Sequence, residues 1–210
     1  MPNFKILIQW KDRMHKKTLL VLEIIAGIVV LAFFAFIFSS LSKNSIPDDF
    51  YTSRQSASDY AQNIVTMLAQ TGDNITALQK GTGFKTRSDA ADMITAEIQK
   101  NKDIREKAVQ LALDLEQMAK SVPDISPKEA AQTALVAISQ ETALIGQLLS
   151  YNNDLNQLLL LAQEELVNGF RNYSEMNAII AKVNAEASEI NNLNSRFNDE
   201  MKKFDAFYGR

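Results

Sequence analysis

The sequence predicts an all-α protein: one N-terminal transmembrane helix followed by an antiparallel up-down four-helix bundle with coiled-coil-like packing. Three observations lead there. Residues 18–42 hold a single charge, Glu23, in a run of Leu, Ile, Val, Phe, Ala and Gly, and about 20 apolar residues at ~1.5 Å each span a bilayer. The chain has only 7 Gly and 4 Pro in 210 residues, so breaks are few and elements are long. Beyond residue 48, apolar residues recur at steps of three and four in four separate stretches, each the mark of one buried helix face.

Residues 1–17 form a basic cytoplasmic tail. Lys5, Lys11, Arg13, Lys16 and Lys17 stand there against Asp12 alone. Residues 43–210 carry 17 basic and 23 acidic side chains. Positive charge flanking a span prefers the cytoplasmic side. The expected topology is therefore single-pass, with the N-terminus inside and the acidic domain outside. Residues 18–42 act as an uncleaved signal-anchor, because the apolar run exceeds the 7–15 residues of a cleaved signal. Trp10, Lys11, Arg13, Lys16 and Lys17 belong at the membrane interface, with Trp10 at the headgroups and the cations on anionic lipid. Glu23 lies less than ~10 Å along the helix from Lys17, so it too reads as interfacial.

Lys17-Thr18-Leu19-Leu20-Val21-Leu22-Glu23 resembles the N-terminus of a type IV pilin, where a basic leader precedes Thr-Leu-x-Glu. Here one extra residue precedes the glutamate, and the processing site lacks its small residue. The resemblance implies a filament subunit.

Residues 43–48 are a linker in which Pro47 ends the membrane helix, and Asp48 or Asp49 is expected to cap the next. The bundle occupies 49–210. Its first helix, 49–80, has the stripe Ala57, Tyr60, Ile64, Met67, Leu68, Thr71, Ile75 and Leu78, with a possible kink at Gly72. Gly81-Thr82-Gly83-Phe84-Lys85-Thr86 looks like a phosphate loop but is a turn: Phe84 separates Gly83 from Lys85, and a helix precedes it where a strand is required.

The second helix, 88–121, starts at Ser88 and buries Ala91, Ile94, Ile98, Asn101, Ile104, Arg105, Ala108, Leu111, Leu115 and Met118. Ser126, Pro127 and Glu129 read as a capping box opening the third helix, 127–167. Its stripe takes in Ala131, Leu135, Ile138, Thr142, Ile145, Leu149, Asn152, Leu155 and Leu159. Asn168-Gly169 is a left-handed stop. The fourth helix, 174–208, begins at Ser174 and repeats Met176, Val183, Ile190, Phe197 and Phe204 every seven residues, the spacing of a coiled-coil seam. Asn152 and Asn194 fall within seams and are expected at similar heights.

The chemistry available is narrow. Cysteine is absent, and the single histidine, His15, lies in the tail. That removes Cys- or His-dependent catalysis, zinc sites and the Glu-x-x-His pairs of di-iron bundles from the outside domain. No cofactor or metal is expected, and no enzyme activity. An acidic domain is a poor nucleic-acid binder. The expected role is a membrane-anchored scaffold or interaction module of the cell envelope, acting on another envelope protein or on a second copy, with the bilayer as its other partner. Leu158, Leu161, Phe207 and Tyr208 are the candidate contact residues.

The alternative is a bundle that senses a small ligand between its helices. Arg105, Thr142, Asn152 and Asn194 are the core-tending polar residues for it. In architecture, this arrangement resembles the four-helix ligand-sensing domains of bacterial chemoreceptors, whose second span and signalling region have no counterpart in this sequence. Phe197-Asn198 with Lys202-Lys203-Phe204 resembles the tail of LemA-type proteins over a short stretch, and the basic N-terminal tail departs from that family.

Overall fold

The computed structural model describes residues 46–209, apart from Phe84, Phe170 and Arg171. It contains four long helices: α1 (Asp48–Lys80), α2 (Arg87–Ser121), α3 (Lys128–Asn168) and α4 (Tyr173–Ala206). A single 3-10 turn, Val122–Asp124, leads out of α2. No strand occurs among the described residues. None of their helices is long and apolar enough to cross a membrane. The predicted span, and with it Trp10, Lys11, Arg13, Lys16, Lys17, Glu23 and the pilin-like stretch, lies outside the described residues.

Side-chain contacts set the register. Asn74 of α1 bonds Glu97 of α2 at 2.6 Å. Asn152 of α3 bonds Asn101 of α2, and Lys182 of α4 pairs with Asp154 of α3. Phe50 of α1 stacks on Phe204 of α4, with ring centroids 5.4 Å apart. Each helix thus runs antiparallel to the next, and α4 returns to the start of α1. The α2–α3 turn lies at that same end, where the Tyr208 hydroxyl donates to the Ser126 carbonyl at 2.9 Å.

The helix ends follow local chemistry, with three corrections to the sequence reading. Pro47, not Asp48 or Asp49, is the N-cap of α1, and both aspartates sit in its first turn, where they face the positive end of the helix. Thr86, not Ser88, caps α2. Its hydroxyl accepts from the Asp89 N–H, and the Asp89 carboxylate accepts from the Lys85 and Thr86 N–H groups, which hold Asp89 below the ordinary carboxylate range. Ser126 makes no capping box: Pro127 occupies the N-cap of α3, one residue too late for the serine to reach, and no side chain caps that end. Asn172 caps α4 through the Glu175 N–H. Gly81 and Gly169 close α1 and α3 at φ 65° and 70°, a left-handed geometry that favours glycine. Helix α1 runs unbroken through Gly72.

One apolar core runs the length of the bundle. Ile104, Ala108, Ala130, Ala134, Ala137, Val183 and Phe204 are fully buried within it. The seam of α4 is buried from Val183 through Ile190 and Phe197 to Phe204. The alanines of α3 let the helices approach closely. Burial then stabilises the fold at roughly 25 cal/mol per Å2 of apolar surface.

Candidate functional site: a polar cavity in the bundle core

The site begins with a helix face. On α3, Ala130, Ala134, Ala137, Glu141, Leu144, Leu148, Tyr151 and Leu155 are all buried, and they step by three and four. Glu141 is the one charge-bearing residue in this row of small and apolar ones. The periodicity carries it inward with its neighbours, whatever its own preference for water.

Opposite it, α1 presents Ala57, Ser58, Ala61 and Gln62, and α4 presents Asn194, Phe197 and Asn198. Leu111, Leu115 and Met118 of α2 form the remaining wall. Because α1 offers small side chains here, the four helices enclose a cavity of about 20 Å3. That is room for about one water. Ser58 and Asn198 are half-buried and Gln62 is exposed, so the cavity meets the surface along the line between α1 and α4.

Glu141 is 3% exposed and Asn194 is 2% exposed. The Oε2 atom of Glu141 and the Nδ2 atom of Asn194 have no hydrogen-bond partner among the described residues. Burial pushes the Glu141 carboxyl up to about 7 from an ordinary 4.5, since desolvation disfavours the charged form. Asn194 is fixed on one side, where its Oδ1 accepts from Asn198 Nδ2 at 3.3 Å. Below the cavity the α1–α4 line is clasped shut. Arg54 donates twice to Asp205, at 2.7 and 2.9 Å, and its guanidinium lies 5.9 Å from the centre of the Phe204 ring.

Other buried polar groups pair across the helices, while Glu97 Oε2, Asn101 Nδ2 and Glu186 Oε2 have no hydrogen-bond partner among the described residues. Asn152 Nδ2 donates to the Asn101 carbonyl at 3.0 Å and to Asn101 Oδ1 at 3.1 Å. Just above, Glu97 is 1% exposed, and its Oε1 accepts from Asn74 at 2.6 Å and from Lys100 at 2.8 Å. Between α3 and α4, the Ser150 hydroxyl donates to Glu186, and Lys182 lies 2.7 Å from Asp154 Oδ2. Burial holds Glu186 above the ordinary carboxylate range, and the nearby Asp154 adds to that. The Asp154 hydrogen bond in turn raises Lys182. Burial, reinforced by the Glu186 charge, pushes the Tyr151 phenol up.

The residues singled out from sequence divide. Asn152 and Asn194 are buried. They do not share a height: Ser150 meets Glu186 and Asp154 meets Lys182, so Asn152 lies level with residues near 184. Arg105 and Thr142 are exposed rather than core-facing. Arg105 reaches along the surface to Asn153 at 3.4 Å, and Thr142 bonds back to the Ile138 carbonyl at 2.8 Å. Both sit one residue off the face that is buried, next to Ile104 and Glu141.

Of the expected contact residues, Leu158 is buried, Leu161 is partly buried against the core, and Tyr208 packs on Phe204 at 5.3 Å. Phe207 is 45% exposed, and in the leucine run it is Leu160 that faces out. Sequence reasoning missed Glu141, Glu97 and Glu186, all buried. Among the described residues, no group of three or more His, Cys, Asp or Glu is placed to hold a metal. No protein-family model, curated protein or solved structure matches the chain.

Proposed function

We propose that the chain is a non-enzymatic, single-pass module of the cell envelope, anchored by residues 18–42 with its N-terminus inside, and that its bundle binds a small ligand in the Glu141 cavity. One observation carries the binding reading: a buried carboxylate and a buried amide face the same cavity, each with an atom that has no partner among the described residues. An unpaired buried polar group costs about 1–3 kcal/mol, and more when charged. A bundle acting only as a strut would fold better with leucine in place of Glu141, in line with Leu144 and Leu148. The polar groups find their use when a ligand completes them. The basic tail and the acidic domain support the orientation.

Native mass spectrometry of the full chain, released from its own membrane, tests the binding reading. A small-molecule adduct on the wild type that is lost in Glu141→Leu is the expected result. A bare mass for both, with protein partners or a second copy retained equally, would replace the binding reading with the scaffold one. Leu160 and Phe207, each exposed by nearly half, are the contacts that scaffold reading would use. Protease added outside intact cells should cut within residues 50–210; protection of that region would overturn the topology.

A further inference from the structure

We infer that the Glu141 cavity takes a primary ammonium group, entering head-first between α1 and α4 with any alkyl tail left along that seam. The inference rests on the ligand-binding reading above and adds the ligand class. An ionised carboxylate only accepts hydrogen bonds, so the group that completes Glu141 must donate. No lysine or arginine lines the cavity among the described residues, so an anion would meet the Glu141 charge with nothing to balance it.

The remaining wall suits a small organic cation. Ala57, Ala61, Leu111, Leu115, Met118 and Phe197 offer apolar contact and one aromatic ring, and an ammonium is attracted to an aromatic face. If the Asn194 and Asn198 amides turn together, Asn194 Nδ2 donates to Asn198 Oδ1 in place of the reverse bond and the Asn194 carbonyl oxygen faces the cavity, while Ser58 at the mouth offers a hydroxyl oxygen. At about 20 Å3 the cavity admits a head group and no more, so carbon beyond the first atoms must lie toward Ser58, Gln62 and Asn198. The excess of 23 acidic over 17 basic side chains in residues 43–210 draws cations toward the bundle.

Binding must also move a proton. Burial alone holds the Glu141 carboxyl near 7, and no other titratable group lines the cavity among the described residues. An ammonium beside it favours the carboxylate. Near neutral pH, complex formation therefore releases protons from Glu141 to the buffer.

The test uses the full chain in lipid nanodiscs, titrated calorimetrically at pH 7 with methylammonium, acetamide or acetate at matched ionic strength. Each titration is run in phosphate and in HEPES, whose ionisation heats differ. The expected result is that methylammonium alone binds, with a buffer-dependent heat that reports proton release. Glu141→Gln should then weaken binding by roughly tenfold or more and abolish the buffer dependence. Ala61→Val, which adds bulk to the cavity and leaves Glu141 in place, should weaken binding too. Equal methylammonium binding by Glu141→Gln would assign the cation to the acidic surface and overturn the inference. Binding of acetamide or acetate without methylammonium would overturn the ammonium class and leave the ligand-binding reading standing. No binding of any probe, together with a bare native mass, would end both.

Discussion

The polar layer built on Asn101 and Asn152 and the layer built on Glu141 and Asn194 lie in the same core, about 16 Å apart along α3 at ~1.5 Å per residue. The first is tied across two helices. Asn152 donates to both the backbone and the side chain of Asn101, and both residues come from helices whose backbones approach closely. The second stays open. Its two polar residues reach across a gap left by Ala57, Ser58 and Ala61, on the side of the bundle where α1 and α4 approach least. Both layers leave one buried amide nitrogen unpaired among the described residues, Asn101 Nδ2 in the first and Asn194 Nδ2 in the second; the second also leaves the Glu141 Oε2 atom unpaired, and there both unpaired groups face a cavity. Register is what the closed layer contributes, as a buried asparagine does in a coiled coil. The open layer contributes no such lock, and its cavity is the one that the proposed ligand would enter.

Five measurements probe the two layers and the clasp beside them, starting with the largest effect. Glu141→Leu should stabilise the protein by about 3 kcal/mol at pH 8 in chemical denaturation, by removing a buried charge and filling the cavity. The pH dependence has a defined sign. The Glu141 carboxyl is raised in the folded state, from 4.5 to about 7, so the folded protein binds more protons there than the unfolded chain. Its contribution is fully present below pH 4.5, declines as the pH rises to about 7, and is constant above. The wild type should lose about 3 kcal/mol over that window relative to Glu141→Gln. A flat difference between the two would mean that Glu141 is solvated.

Asn152→Ala should destabilise by about 2 kcal/mol, because Asn101 loses its partner inside the core. If the loss is as small as that of an exposed residue, the two layers are not distinct. A double-mutant cycle of Asn101→Ala and Asn152→Ala should show coupling of about 1.5 kcal/mol. The same cycle on Glu141 and Asn194 should show coupling near zero in the absence of ligand. The smallest effect belongs to the clasp below the open layer. Arg54→Met should cost about 1 kcal/mol and speed amide hydrogen exchange around residues 57–62, with no change near Asn101.

Much of the fold was legible. Scarce glycine and proline marked the breaks, and Gly81 and Gly169 stand at the ends of α1 and α3. The α4 repeat was visible because it is carried by large apolar residues. The open layer was not legible, and the reason is specific. On α3 two stripes one residue apart competed. One held Leu135, Thr142 and Leu149, and the other Ala134, Glu141 and Leu148. A threonine counts as nearly apolar and a glutamate does not, so the sequence favours the stripe with Leu135 and Thr142, both of which are exposed, although Ile138, Ile145 and Asn152 of that same stripe are buried. The same substitution of emphasis placed Ile98 ahead of Glu97 on α2. The signal available was the uninterrupted run of alanines at 130, 134 and 137, which helices use where they pack closely. Asn194 falls on a seam with no rival, whereas Glu141, its neighbour across the cavity, lies off the α3 stripe that the sequence marks.

The clasp at the lower end has a mechanical consequence. Chain entering α1 arrives at Ile46 and Asp48, within two turns of Arg54, and α4 finishes beside it. Any tension carried by the preceding segment therefore loads Phe50 and Phe204, Arg54 and Asp205 before it reaches the rest of the molecule. Such a pull acts along α1 and shears it past α4, so the stacked rings and the paired ion bonds share the load at once instead of failing one by one. The clasp ties α1 to α4 where the preceding segment meets the bundle.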